Sequence, residues 1–462
     1  MKVLPLSLGP IVGETTSTRV RLWGRAAYEA TPEGPRRACG VARIRSANAH
    51  GFSDPVFFKM NPNFDLTGVV VFDSLAPDTE HEYEIGYFFS DAEAPDLDWS
   101  EVSRSRFRTG TGDSGASRSF VMGSCRYLPR LFGGAWLDSR GDRIFASILR
   151  QIEEERRPVD ALLMLGDQIY ADDLGFLFRD TLLDEYLERY RQAFGQENVR
   201  RLMSRVPTYL MLDDHEVQDG WPKSASPKDH RVRYPAAIHA YLTYQASHGP
   251  LFAVKGHGID GIPEKLWYRF RDGCCDFFVM DVRTERRFGD EGENLHIVSA
   301  AQLDALKSWL VDGSGRVKLV ATSVPLFPEV LGKLQDHWSG FASDRAELLR
   351  FLVENECERV VFLSGDVHAS VSAELRAVGG SGTKLVSIVS SPFFWPYPGG
   401  PAALVRLGGT IRAGDLTFEL AEAGPVQTAD NFTRVSVHPD RVEVEVFSRK
   451  GLPLGPSKVH RF

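Results

Sequence analysis

The stretch 161–170 reads ALLMLGDQIY. Five consecutive apolar residues describe a short strand buried on both faces. The glycine after them lets the backbone turn and approach a neighbour closely. Asp167 then stands at the carboxyl end of that strand, with Tyr170 three positions on. The same grammar recurs along the chain. SFVMG (119–123) runs into Ser124-Cys125-Arg126, and TYLML (208–212) into Asp213-Asp214-His215-Glu216. FFVMD (277–281) runs into Val282-Arg283, and RVVFL (359–363) into Ser364-Gly365-Asp366-Val367-His368. In open α/β sheets the carboxyl ends of the strands converge on one rim, where ligands bind. Five strands therefore deliver polar groups to one place.

Helical patterns lie between these strands. Residues 142–157 put Ile144, Phe145, Ile148, Leu149 and Ile152 on one side. Stretches 182–194 and 199–206 also read as helices, as does 231–245 with Pro235 inside it. Ser299 is expected to cap a helix carrying Leu303, Leu306 and Leu310, with Gln302 as its capping-box partner. Residues 344–355 form the last helix. Segments 317–321, 384–389, 432–437 and 442–447 supply further strands. Apolar strands alternating with helices predict a layered α/β sheet covered on both faces.

Residues 1 to about 110 read differently. Segments 19–25, 69–72, 82–89 and 102–108 have strand character, with GP, NPN and APD turn signals between them. They predict a small antiparallel sandwich. TGTGDSGAS (109–117) is the linker, so the chain divides into an all-β unit at 1–112 and an α/β unit at 113–462.

Composition excludes several classes. With 43% hydrophobic and 25% charged residues the chain is neither disordered nor fibrous. A net charge of -8 offers no nucleic-acid surface, so no specific nucleic-acid partner is expected. Five cysteines are too few for a disulfide scaffold, and the adjacent Cys274 and Cys275 do not suit an ordinary bridge. A reducing compartment is the simpler expectation. The N-terminal stretch has neither a long apolar core with a cleavage site nor twin arginines. A cytoplasmic location is therefore expected, or an exported one if a leader has been removed. No stretch offers a transmembrane segment, and oligomeric state is left open.

The rim set contains a thiol, carboxylates, a phenol and imidazoles. Carboxylate with imidazole suits Fe, Mn or Zn, and carboxylates alone suit Mg or Ca. Two ions roughly 3.5–4 Å apart can clamp a phosphoryl group and acidify water. Asp167, following a glycine, is the expected bridging carboxylate.

In this order the motifs GSC, GDxxY, DDHE, DxR and SGDVH resemble those of the PhoD-like alkaline phosphatases, within the calcineurin-like metallophosphoesterase superfamily. The opening GPIVGETTSTRVRLWGR (9–25) also resembles that family's N-terminal domain. The resemblance covers nearly the whole chain. It implies a layered α/β/β/α metallophosphoesterase sandwich behind an N-terminal β-sandwich. It implies hydrolysis of phosphoric esters, as phosphomonoesterase or phosphodiesterase, by a metal-bound hydroxide at a dinuclear or multinuclear site. Cys125 and Tyr170 resemble ligands of an iron ion (Fe3+), and Asp167 the bridge. Asp214, or Asp213 beside it, resembles a ligand of a second divalent ion, with Ca expected ahead of Mg, Mn or Zn. Asp366 and His368 resemble the last ligand pair. His215 resembles the proton donor to the leaving oxygen, and Arg283 a phosphate-facing arginine, with Arg126 a further candidate. The implied partner is a phosphate ester small-molecule substrate. The alternative is a catalytically weak metal- or phosphate-binding regulatory protein on the same fold.

Other polar residues carry less. Asp172 and Asp173 read as caps for the next segment. His230, His239, His248, His257, His296 and His337 are read as lacking a recurring acid partner, with a structural role for His337. FFWPY (393–397) is either a pocket wall or a packed loop, and the sequon at Asn431 has no role.

Overall fold

The computed structural model describes residues 1–32, 34–131, 136–172, 179–288, 295–332, 335–378, 382–397 and 404–462. Asp173 lies outside them.

Two sheets stack face to face at the centre of the α/β unit. One runs in the order Thr208–Leu210, Ala161–Met164, Arg118–Gly123, Asn431–His438, Arg441–Ser448, Lys458–Arg461. Its first three strands are parallel and the rest antiparallel. The other sheet has the parallel run Cys275–Val279, Val317–Ala321, Val360–Ser364, Lys384–Val389 at its heart. Antiparallel strands Tyr268–Asp272, Val371–Val378, Leu416–Ala423 and Thr410–Ala413 extend it.

Alternation of side chains explains the layering. Phe120, Met122 and Leu163 face Phe277, Leu319, Val361 and Ile388 across the gap between the sheets. Val121, Leu162 and Met164 point the other way, onto helices α1 (Arg143–Glu153), α2 (Leu183–Phe194) and α3 (Glu197–Met203). Helix α4 (Pro227–Tyr241) joins that layer through Ala237 and Ala240. Phe278, Val320 and Phe362 likewise point onto α5 (Ala300–Leu310) and α6 (Ala342–Glu354). These are the four layers α/β/β/α. Both faces of each central strand are buried, so the strands read as unbroken apolar runs.

Two helix starts depart in part from expectation. Ser299 Oγ does accept the Gln302 N–H (3.2 Å). The Gln302 side chain, however, does not close a capping box. It bonds the Asp281 backbone on both sides (2.9 Å each) and Glu285 (2.7 Å), while Glu285 takes the Ser299 N–H (3.0 Å). A buried amide beside an unpaired strand end serves that end first. Helix α4 starts earlier than its apolar pattern suggests, at Pro227, behind a reciprocal Ser226–Asp229 cap (3.2 and 2.8 Å). Pro235 stays within it.

The N-terminal unit is a sandwich of a five-stranded and a three-stranded sheet. Val12, Val20, Leu22, Val70 and Phe72 fill its interior with Ile85, Tyr87 and Phe107. The three-stranded sheet (Leu8–Thr15, Val20–Arg25, Thr67–Phe72) buries its second face too. Leu8, Ile11, Trp23, Val69 and Val71 merge with the core under α1–α4. Alternation leads one to expect burial on a single face. The second face is covered because the α/β unit sits on it. Trp23 Nε1 donates to Thr243 O (3.0 Å), and Tyr83 OH to Ser204 O (2.7 Å). A Cβ on Gly13 would stand 2.1 Å from His248 O, so only glycine allows this approach. Asp65 accepts from Arg25 (2.8 and 2.9 Å), Arg191 (2.7 Å) and Tyr244. All five cysteines are free thiols.

Removing Asp65 strands the buried Arg25 guanidinium and takes one of two acids from Arg191, the costly way to break an ion pair. Asp65→Ala is expected to destabilise the protein by about 3 kcal/mol. A urea titration followed by fluorescence checks this, and an unchanged midpoint refutes it.

Candidate metal centre

Every strand end named above reaches the same rim. Asp167, Asp213, Asp214 and Asp366 each offer an oxygen, and the four oxygens lie within 4.8 Å of one another. All four residues are buried. Cys125 Sγ and Tyr170 OH stand 3.4 and 3.3 Å from the same oxygen, Asp167 Oδ2. His215 joins Asp167 and Asp214 in a second such group. His368 lies at the edge, its ring 3.8 Å from that of Trp395.

The local chain folds this way at a cost. Cys125, Asp167, Asp366 and His368 all have positive φ, between 51° and 64°. This left-handed region costs a non-glycine residue about 1–2 kcal/mol. Backbone bonds between the loops hold the four in place. Arg126 N–H donates to Asp167 O (2.8 Å), Phe393 N–H to Ser124 O (2.8 Å), and Asp366 N–H to Ser124 Oγ (3.2 Å). The glycines before the acids permit the approach. A Cβ on Gly166 would sit 2.4 Å from Asp213 Cβ, and one on Gly365 2.3 Å from Ser124 Oγ.

Glu216 is the organiser beneath the rim. Fully buried, it accepts the N–H groups of Asp167 (3.0 Å), Gln168 (2.7 Å) and Asp213 (2.9 Å), and the Gln245 amide (3.1 Å). One carboxylate thus ties the ends of two strands. Burial pushes its pKa up, while these donors pull it down. Its only signal in the sequence is the last letter of the DDHE motif.

The electrostatics ask for a cation. Burial, together with the neighbouring acids, raises Asp167 well above the usual carboxylate range. Burial lifts Asp213 to about 7, even with Arg283 beside it. Burial and the charges of Asp167 and Asp366 raise the Cys125 thiol, and burial likewise raises the Tyr170 phenol. Asp213 Oδ2 and Asp214 Oδ1 are buried and make no hydrogen bond. Asp214 Oδ1 keeps only a long ion pair with Arg283 (3.4 Å), and these carboxylate oxygens, within reach of one another beside a thiol and a phenol, form a donor set that fits metal ions.

The basic residues divide between the rim and its supports. His215 Nδ1 pairs with Asp172 Oδ1 (2.8 Å), whose other oxygen takes the Asp219 N–H (2.7 Å). Asp172 therefore orients the imidazole as well as ordering the loop. Burial lowers the His215 pKa, but Asp214, Asp167 and Asp172 together raise it well above the ordinary value. Arg283 is wholly buried and fully engaged. It donates to Asp213 (2.5 Å), to both oxygens of Asp336 (2.7 and 3.1 Å) and to Trp221 O (3.2 Å). Its fork holds carboxylates of the protein rather than facing an open rim. Arg126 is directed elsewhere, to Ala193 O (2.8 Å) and Gln196 (3.1 Å), with its guanidinium over the Phe145 ring. Its side-chain partners come from α1, the end of α2 and the loop after it.

Two histidines differ from the sequence reading. His337 is buried with Nε2 2.6 Å from Asp366 Oδ2, and His296 pairs with Asp344 (2.8 Å). Both acids are distant in sequence, so no local spacing signals these pairs. Phe393 and Phe394 are buried, and the half-buried Trp395 with Tyr127, Tyr170 and Tyr397 forms an aromatic wall beside the rim. Asn431 is buried and bonds Ser391 O (3.0 Å) and Ser370 Oγ (2.6 Å), which secures the loop after a central strand.

Glu216→Gln turns an acceptor into a donor that faces backbone N–H groups. It is expected to destabilise the protein by about 1–3 kcal/mol and to lower the metal content. Thermal melting with elemental analysis checks both; full metal occupancy in the variant contradicts the organising role.

A model of the PhoD-like phosphatase family matches residues 135–399. Alkaline phosphatase D of Bacillus subtilis (strain 168) is 22% identical over 419 residues, covering 80% of this chain and 66% of that relative. The chain thus spans just under two thirds of that relative's length. A solved structure described as that of PhoD aligns with a TM-score of 0.71 at 18% identity, covering 99% of this chain and 89% of that one. This is a likeness of fold, and it extends over both units. With more than half of the 462 residues matched by the family model, the chain belongs to the PhoD-like phosphatase family.

Proposed function

We propose that the protein is a metal-dependent hydrolase of phosphoric esters, working at the rim built by Asp167, Asp213, Asp214 and Asp366. The observation that carries this reading is the meeting of four buried carboxylate oxygens within 4.8 Å, two of the acids each having an oxygen without a hydrogen bond. Family membership supports the same conclusion.

Asp167 would bridge two ions. Cys125 and Tyr170, both beside Asp167 Oδ2, would hold Fe3+, with His368 on that side. Asp214 and Asp366 would hold the second, divalent ion, with Ca favoured by the carboxylate-rich set over Mg, Mn or Zn. When bound, such ions act as Lewis acids toward phosphoryl oxygens and acidify water.

The protein's own residues account for the rest. Asp172 fixes His215 through Nδ1, which leaves Nε2 as the atom that delivers a proton to the departing alkoxide. Asp172, which the metal set does not use, favours the protonated ring by pairing with it. Arg283 holds Asp213 and draws Asp336 to the rim, so we assign it to positioning the acids. Arg126 we assign to the helix layer. The aromatic wall borders one side of the reaction zone. We read residues 1–112 as a scaffold unit and 113–462 as the catalytic unit, the former's second sheet face supporting α2–α4.

His215→Ala should lower kcat by about 10²–10⁴ with the metal content kept, and least for a good leaving group such as 4-nitrophenolate. A series of phosphate esters with graded leaving-group pKa checks this; a uniform loss contradicts the proton-donor role. Asp167→Ala should lose both bound metal and turnover, and Cys125→Ala should lose iron selectively, both read by elemental analysis. Full activity in Asp167→Ala, or unchanged iron in Cys125→Ala, overturns the respective assignment.

A further inference from the structure

Beside the acidic rim lies a pocket of about 730 Å³ that the catalytic roles above do not use. Lys223, His230, Arg286 and Gln335 line it, with Phe288 and Leu295 as an apolar wall. None of its described lining residues is acidic.

The pocket and the acidic cluster share a wall. Arg286 and Arg283 both donate to Asp336 Oδ1, at 2.6 and 2.7 Å, and Arg283 continues to Asp213. The loop that carries Lys223 begins at the cluster as well. Gly220 N–H donates to Asp214 Oδ2 (2.6 Å), Trp221 O accepts from Arg283 (3.2 Å), and Pro222 and Lys223 follow. Arg286 is buried and shares Asp336 with Arg283, which also pairs with Asp213 and Asp214, and among the described residues the Arg286 Nη2 is buried without a hydrogen-bond partner. Lys223 is exposed, and among the described residues it donates to the neutral Gln335 amide oxygen (2.5 Å). His230, also exposed, packs its ring 4.6 Å from Trp221. A buried donor left over, with an ammonium and an imidazole around a space with one apolar wall, suits an anion on a short carbon spacer.

We propose that this pocket is a subsite for a second anionic group, a carboxylate or a phosphate, carried by the organic part of the ester. This rests on the hydrolase reading above and adds to it a substrate class, esters whose organic portion is itself charged. Lys223 and His230 are specificity-determining residues at the mouth, and Arg286 is the floor.

Two matched ester pairs test this. One is propyl phosphate against 3-phosphooxypropanoate, followed by phosphate release. The other is ethyl 4-nitrophenyl phosphate against 2-carboxyethyl 4-nitrophenyl phosphate, followed by colour. On whichever pair is turned over, the charged member should have a kcat/KM about tenfold higher, a preference that shrinks as salt rises. In Lys223→Ala/His230→Ala the two members should become roughly equal. Absence of the preference in the wild type, or its persistence in the double variant, overturns the subsite. Calorimetric binding of 3-phosphonopropionate to the protein as purified separates the two readings. Binding that weakens in the double variant, with no ester turned over, refutes the hydrolase reading and keeps the pocket. Turnover without preference refutes the pocket alone. Inorganic phosphate binding as tightly as 3-phosphonopropionate, with no gain for charged esters, assigns the pocket to a free anion and also overturns the subsite.

Discussion

Four carboxylates held within a few ångströms of one another, out of water, are the constraint on which the rest of this molecule turns. Like charges at such distances repel strongly where the local dielectric is low, and each buried carboxylate also loses its hydration. Nothing in their own chemistry would bring Asp167, Asp213, Asp214 and Asp366 together. The surrounding fold does so. Two sheets pack through Phe120, Met122, Phe277, Leu319 and Ile388, and that packing aligns the carboxyl ends of five strands. Glu216 then clamps two of those ends through three backbone N–H groups. Left-handed backbone at Cys125, Asp167, Asp366 and His368 aims the side chains inward. Strain of this kind persists only where surrounding structure over-determines it, and here the loop-to-loop bonds do.

The same constraint gives the N-terminal sandwich, packed against the α/β unit, a supporting part. Helices α2 and α3 cover one face of the first sheet, and the three-stranded sheet of the sandwich in turn covers them. Asp65, Arg25, Arg191 and Tyr244 join the two units by a polar knot, and Gly13 permits direct backbone approach to His248. A rim that must hold its acids against repulsion gains from a rigid support on the opposite side of its helices.

Much of this architecture is legible in the amino-acid sequence. A run such as ALLML followed by GDQIY declares a buried strand and a polar terminus, since a strand covered on both faces has no polar position until it ends. The glycines announce close approach, and Gly166 bears that out against Asp213. Sequence patterns fail where partner choice depends on distance through space. Arg283 is readable as an arginine after a strand, but not as the hub between Asp213 and Asp336. Gln302 has the spacing of a cap and instead serves a strand end. His337 and Asp366 are 29 residues apart, and no spacing rule links them. Asp172 reads as a cap and also orients His215.

Which residues stand at the ends of the central strands is readable from the chain alone, because apolar periodicity and glycine placement are local properties. The sequence also carries, through the order of its motifs, the family to which the chain belongs. Which of those residues face the acidic cluster, and which are consumed in holding it, is set by the folded chain. Those outcomes follow from strand order, sheet pairing and loop contact across hundreds of residues. Burial makes each such pairing nearly obligatory, so the arginine that finds an acid first is no longer free to find a substrate.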